Sequence, residues 1–136
     1  MEFKKLINNF QNCPCGMKHE CKIEDIVVEK GCVRRVGEIL KKNSFPRKLL
    51  VVADKTTIQV SEGILSSLND FELTLKIYDD LRVASMNEVK EIKQYFDDGI
   101  EAVISVGTGS LNDVCRLASA QKDIPLCLEL LLQTIL

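Results

Sequence analysis

Two stretches of this chain leave little choice of architecture. "KLLVVAD" (residues 48–54) and "EAVISVG" (101–107) are apolar without alternation, and "IPLCLEL" (124–130) starts the same way. A strand that reads apolar on consecutive residues is covered on both faces, and that is the situation of a strand inside a parallel sheet. "FELTLKIYDD" behaves differently. Phe71, Leu73, Leu75 and Ile77 alternate with polar residues, which predicts a strand with one wetter face near a sheet edge. "DIVVE" (25–29) is a fifth, shorter apolar run and is predicted as a first strand.

The segments between these runs carry helical spacing. "CVRRVGEILKK" sets Val33, Val36, Ile39 and Leu40 on one face, and "NSFPR" after it reads as a loop because Pro46 cannot continue a helix. "TTIQVSEGILSSLND" aligns Ile58, Ser61, Ile64, Leu65 and Leu68, with Gly63 interrupting the pattern. "SMNEVKEIKQYFDDG" has Ser85 to cap it, Glu88 to complete a capping box and Gly99 to end it. "SLNDVCRLASAQK" is the last helix. Strand and helix alternate throughout, so the predicted class is α/β: a Rossmann-like parallel sheet with flanking helices and right-handed crossovers. With 136 residues, no internal repeat and no linker, residues 1–136 read as one domain, of which 1–24 form a cysteine-containing N-terminal segment.

The net charge of -2, with signs interspersed, offers no footprint for nucleic acid. "MEFKKLINNF" lacks the apolar core of a signal peptide, and no apolar run approaches the ~18 residues of a membrane span. The expected setting is cytoplasmic, without a membrane partner, so the six cysteines read as thiols or metal ligands before disulfides.

"ISVGTGSLNDVCRLASA" (104–120) joins a buried strand to a helix through a glycine turn. The free N–H groups and dipole of a helix start attract anions, and Gly107 and Gly109 allow unusual backbone angles and close approach of a ligand. The turn departs from the Rossmann fingerprint, since Asn112 holds the third glycine position and the strand is a late one. The alternative is a plain helix start capped by Ser110 and supported by Asp113. Asp54, ending another buried strand, has two readings as well. It accepts hydrogen bonds from an adenosine ribose and repels a 2′-phosphate, or it caps the helix that begins "KTT".

"KLLVVADKTT", "DDLRVASMNEV" and "ISVGTGSLNDVCRLASAQKDIPLC" resemble the sn-glycerol-1-phosphate dehydrogenases of the iron-containing alcohol dehydrogenase and dehydroquinate synthase superfamily, over roughly residues 10 to 127. Thr108 departs from that family's loop, where a glycine is common. The resemblance implies the N-terminal nucleotide-binding domain of the dehydroquinate synthase-like fold. It also implies that Gly107, Thr108, Gly109, Ser110 and Leu111 cradle the pyrophosphate of NAD, or of NADP, with Asp54 near the adenosine ribose. The implied activity is reduction of dihydroxyacetone phosphate to glycerol 1-phosphate for phospholipid biosynthesis, by an enzyme that is a homo-oligomer at full length.

That family holds a catalytic divalent metal through one aspartate and two histidines in a C-terminal helical domain. His19 is the single histidine here, so no catalytic residue is assigned, the helical domain is expected to be absent, and this chain alone is expected to be inactive. The tail "LELLLQTIL" departs from the family after "IPLC". With suitable codons its shifted frame reads Ala-Thr-Ala-Pro, close to the family's own sequence, so a frame slip near residue 128 is expected.

"CPCGMKHEC" gathers Cys13, Cys15, His19 and Cys21, a candidate metal-binding set without a standard zinc-finger spacing and without a catalytic role; a reduced turn with no ligand is the alternative. Cys32, Cys115 and Cys127 fall in apolar patterns and read as core residues. Besides a dehydrogenase fragment, two other functions fit: a non-catalytic nucleotide-binding module or pseudoenzyme, and a small metal-binding protein.

Overall fold

A computed structural model describes residues 3–61 and 63–130. The contacts gather into two units, Met1–Lys30 and Gly31–Leu136. In the first, helix α1 (Phe3–Asn8) is followed by turns around residues 9–16. The tail expected to mark a frame slip, residues 131–136, lies outside the described residues.

"DIVVE" does not form a strand. Residues 18–29 carry no regular secondary structure, and Ile26 and Val28 are 52% and 86% exposed. Three apolar residues between charges supply a strand-like pattern but no neighbour to complete a hydrogen-bond ladder, and the sheet has four strands.

The second unit opens with a 3-10 turn at Cys32–Arg35 and α2 (Val36–Lys42). It continues with β1 (Lys48–Asp54), α3 (Lys55–Val60), α4 (Ile64–Ser67) and β2 (Glu72–Tyr78). Then come α5 (Met86–Asp97), β3 (Ala102–Gly107), α6 (Gly109–Lys122) and β4 (Leu126–Leu130). All strand pairs are parallel, in the order β2-β1-β3-β4. The expected α/β class therefore holds.

Residues 49–54 of β1 and all of β3 are buried. Leu50, Val52 and Val103 point into a layer closed by Val89, Ile92 and Phe96 of α5 and Leu111, Val114, Cys115 and Ala118 of α6. Leu49, Val51, Ala53, Ile104 and Val106 point the other way, onto Val36 and Leu40 of α2 and Ile64 of α4. β2 lies at the edge, as its alternation predicts, and Leu75 and Ile77 stay 47% and 36% exposed.

Ser85 caps α5 through a capping box with Glu88, and Gly99 ends its turn at φ +91°. The helix predicted across residues 56–70 breaks in two, because Gly63 sits at φ +91°, which a right-handed helix does not contain. α2 and α4 approach so closely that a Cβ on Gly37 would stand 1.9 Å from the Ser67 carbonyl oxygen. That atom is backbone and has no rotamer to yield. Gly37→Ala is therefore expected to destabilise the second unit by about 1–3 kcal/mol, the usual cost of overpacking. A urea unfolding midpoint equal to the parent's would show that the two helices separate freely.

Candidate functional site

The strand order places a switch point between β1 and β3. From β1 the chain leaves through α3 and α4 to β2 on one side, and from β3 it leaves through α6 to β4 on the other. The carboxyl ends of β1 and β3 thus flank a switch point, where open α/β sheets leave a crevice. Ala53 is level with Val106, so Asp54 and Gly107, one residue further along, stand on neighbouring strands at its rim.

The turn from β3 into α6 leaves its helix start open. Thr108 is the N-cap in extended backbone (φ -79°, ψ 177°), and its side chain makes no capping bond. The first ladder bond runs from the Asn112 amide to the Thr108 carbonyl at 3.0 Å, so the amides of Gly109, Ser110 and Leu111 precede the ladder. Ser110 is not the cap. Its hydroxyl donates to the Arg82 carbonyl at 2.8 Å and ties the helix start to the loop before α5. Asp113 lies beyond the first turn and pairs with Arg116 at 3.3 Å.

The glycines matter here for room rather than for backbone angle. Neither Gly107 nor Gly109 has a positive φ, which corrects the expectation of unusual angles. A Cβ on Gly109 would meet nothing within 4 Å, whereas one on Gly107 would press on the Leu111 side chain at 3.1 Å. Thr108, extended, carries no strain in place of the family's glycine.

Asn112 had shown itself in the sequence only as a departure from a fingerprint. It is buried, accepts a hydrogen bond from the Ser105 hydroxyl at 2.6 Å and donates to the Gly107 carbonyl at 3.3 Å. The turn is thereby braced from below. An asparagine among the buried, mostly apolar positions of α6 was the available signal.

Asp54 is 5% exposed and caps α3. Its Oδ1 accepts from the amides of Thr56 (2.9 Å) and Thr57 (2.7 Å), and the Thr57 hydroxyl accepts from the Asp54 amide at 2.9 Å. The cap reading of this residue is thus realised, while Oδ2 takes part in none of those bonds. Beside it, Lys55 pairs with Asp79 after β2. Across β3, Glu129 lies level with Val106, and its Oε1 accepts from the buried Ser61 hydroxyl at 3.0 Å. Burial pushes the Glu129 carboxyl up, opposed by the Ser61 hydrogen bond. This second carboxylate was not among the residues singled out in the sequence, because its partner lies 68 positions away.

In the first unit, the ligand atoms of Cys13, Cys15 and His19 lie within 4.8 Å of one another. Cys21 is outside that group. The Cys15 sulfur lies 3.0 Å from His19 Nε2 and accepts from the Met17 amide at 3.4 Å. That amide, with the Cys13 side chain, holds the Cys15 thiol below its ordinary range. Cys115 is buried and Cys127 packs beneath the α2 layer; burial pushes both thiols up to about 11. Cys32 is half-buried.

Among the described residues, no helix is long and apolar enough to cross a membrane. The family of iron-containing alcohol dehydrogenases matches residues 27–128. A glycerol-1-phosphate dehydrogenase (NAD(P)+) of Geobacillus stearothermophilus is 22% identical over 130 residues, covering 90% of this chain and 32% of its own length. The chain thus spans about a third of that curated relative. Among solved structures, maleylacetate reductase from Agrobacterium tumefaciens superposes with a TM-score of 0.64 at 17% identity, over 84% of this chain and 33% of that one. Glycerol dehydrogenase from Schizosaccharomyces pombe gives 0.60 at 21% identity, over 73% and 25%. Those likenesses concern the fold alone. The family match, spanning three quarters of the sequence and both rims of the crevice, places this chain in the iron-containing alcohol dehydrogenase family.

Proposed function

We propose that the chain is the nucleotide-binding part of an NAD(P)-dependent sn-glycerol-1-phosphate dehydrogenase, the oxidoreductase that interconverts dihydroxyacetone phosphate and glycerol 1-phosphate. The observation that carries this reading is the uncapped start of α6, with open space at Gly109, beside Asp54 at the switch point. Support for the substrate comes from the sequence resemblance and from the bacterial relative.

The fit to a dinucleotide rests on donor chemistry. The amides of Gly109, Ser110 and Leu111 and the positive end of a 14-residue helix suit a pyrophosphate. Asn112 keeps the turn in place, and the bare Cα of Gly109 leaves the phosphate room. Asp54 supplies negative charge at the neighbouring strand end, where it favours a ribose diol over a 2′-phosphate. The nicotinamide, when bound, supplies or takes the hydride. A metal site of two histidines and one aspartate does not fit these 136 residues, which contain one histidine. The cytoplasmic setting and the homo-oligomeric state of the full-length enzyme belong to this same reading.

Calorimetric titration at low salt is expected to show NAD(H) binding more tightly than NADP(H). Asp54→Asn keeps a side-chain oxygen for the α3 cap and removes the charge. It is expected to narrow the preference by roughly fivefold, equivalent to about 1 kcal/mol of relieved repulsion. An NADP(H) preference in the parent chain would remove Asp54 from the site.

Gly109→Val tests the turn. Apart from its chain neighbours and its own helix backbone, nothing lies within 4 Å of a Cβ at this position, and valine is no worse than glycine in a helix. Stability should be kept while nucleotide affinity falls by roughly tenfold or more, the loss of at least about 1.4 kcal/mol of phosphate contact. Unchanged affinity with an unchanged circular dichroism spectrum would make the turn a helix start and nothing else.

With NADH and dihydroxyacetone phosphate, the purified chain is expected to show no turnover, with or without added zinc or iron. Metal-dependent NADH oxidation clearly above the Gly109→Val control would mean that the substrate-activating residues lie within this chain.

A further inference from the structure

We propose that Cys13, Cys15 and His19 bind one zinc(II) ion, with the fourth tetrahedral position open to a solvent molecule or an outside ligand. The site belongs to the first unit and stands independently of the nucleotide reading.

Three observations carry it. The first is the donor set. Two sulfurs and an imidazole nitrogen lie within 4.8 Å of one another, and no carboxylate belongs to the group. Soft and borderline donors of this kind suit zinc and not the oxygen-seeking calcium or magnesium. In a tetrahedral zinc site, bond lengths of about 2.0–2.3 Å put neighbouring ligand atoms roughly 3.5–3.8 Å apart. The observed group brackets that spacing, with the Cys15 sulfur at 3.0 Å from His19 Nε2. Displacements of about half an ångström convert this hydrogen-bonded cluster into a coordination shell.

The second is the turn that presents the sulfurs. Pro14 fixes one backbone angle, and the Gly16 amide closes back on the Cys13 carbonyl at 3.2 Å. Gly16 leaves the turn at φ +74°, which glycine adopts without strain. The Met17 amide then points at the Cys15 sulfur from 3.4 Å. An amide donated to a thiolate offsets its charge, as outer-shell partners of metal ligands do.

The third is access and need. Cys15 and His19 are exposed and Cys13 is half-exposed, so an ion reaches all three, and none is used by a hydrophobic core. Apart from the six residues of α1, the described part of the first unit has no helix or strand. A cation joining residues 13, 15 and 19 would supply the cross-links that such a segment otherwise lacks. Cys21 lies outside the group, which is why the fourth position is left to an outside ligand.

The test uses the full 136-residue chain, reduced, stripped with a chelator and titrated anaerobically with cobalt(II) as the spectroscopic stand-in. The expected result is a sulfur-to-cobalt charge-transfer band and intense visible bands that saturate at one equivalent and disappear when zinc is added. Cys13→Ser, Cys15→Ser and His19→Ala should each weaken binding by roughly tenfold or more, since even outer-shell losses cost that much. Cys21→Ser should bind as the parent does. Zinc should also slow the reaction of two of the six thiols with a disulfide reagent. Absence of a saturable charge-transfer band, or parent-like binding by the three ligand variants, would overturn the site. Loss of binding in Cys21→Ser would overturn the open fourth position in favour of a closed four-ligand centre.

Discussion

The constraint on which everything else rests is that β1 and β3 are buried on both faces. A strand in that position cannot be left with one side in water, so helices must cover both. Leu50 and Val52 need α5 and α6; Leu49, Val51 and Ala53 need α2 and α4. Crossovers are right-handed, so helices on opposite faces require the chain to step outwards in opposite directions from the central pair. The switch point between β1 and β3 is therefore a consequence of burying those two strands. Open α/β sheets leave a crevice at the carboxyl ends of strands so placed.

What the sequence adds is the chemistry of the rim. On one side Asp54 turns its charge onto α3, and its capping box makes the β1-to-α3 corner rigid. On the other side the helix is left uncapped by its own side chain, and the rigidity comes from beneath through Asn112. The two corners solve the same problem in opposite ways. One satisfies its first amides with its own side chains, and the other leaves them without a side-chain cap. That asymmetry distinguishes the turn at Gly107 to Leu111 from an ordinary strand-to-helix connection.

Legibility followed the range of the interactions. The unalternating runs, the alternation of β2 and the capping box of Ser85 with Glu88 are local, and each was readable from a few consecutive residues. Gly63 was readable as an interruption, though not as a full break. "DIVVE" misled because an apolar run specifies a strand only where another strand is at hand, and no run of residues contains that information. The bonds of Ser110 to Arg82 and of Glu129 to Ser61 join positions 28 and 68 apart, beyond any local pattern. The glycine turn was found for a partly wrong reason. Its spacing was visible, but its backbone angles are ordinary, and what the glycine at 109 supplies is empty volume.

The six cysteines show how one residue type is assigned different work by surroundings alone. Cys115 and Cys127 are held as neutral thiols by the cost of placing a thiolate away from water, which makes them poor nucleophiles at neutral pH. Cys15 is exposed and Cys13 half-buried, in a turn whose geometry brings an amide and an imidazole to the Cys15 sulfur. Spacing in the sequence placed Cys21 with them, because the single residue between it and His19 is no barrier on paper. In space the group closes on three side chains, because the turn at Pro14 to Gly16 faces His19. Sequence proximity identified the candidates, and the fold of one short turn decided which of them meet.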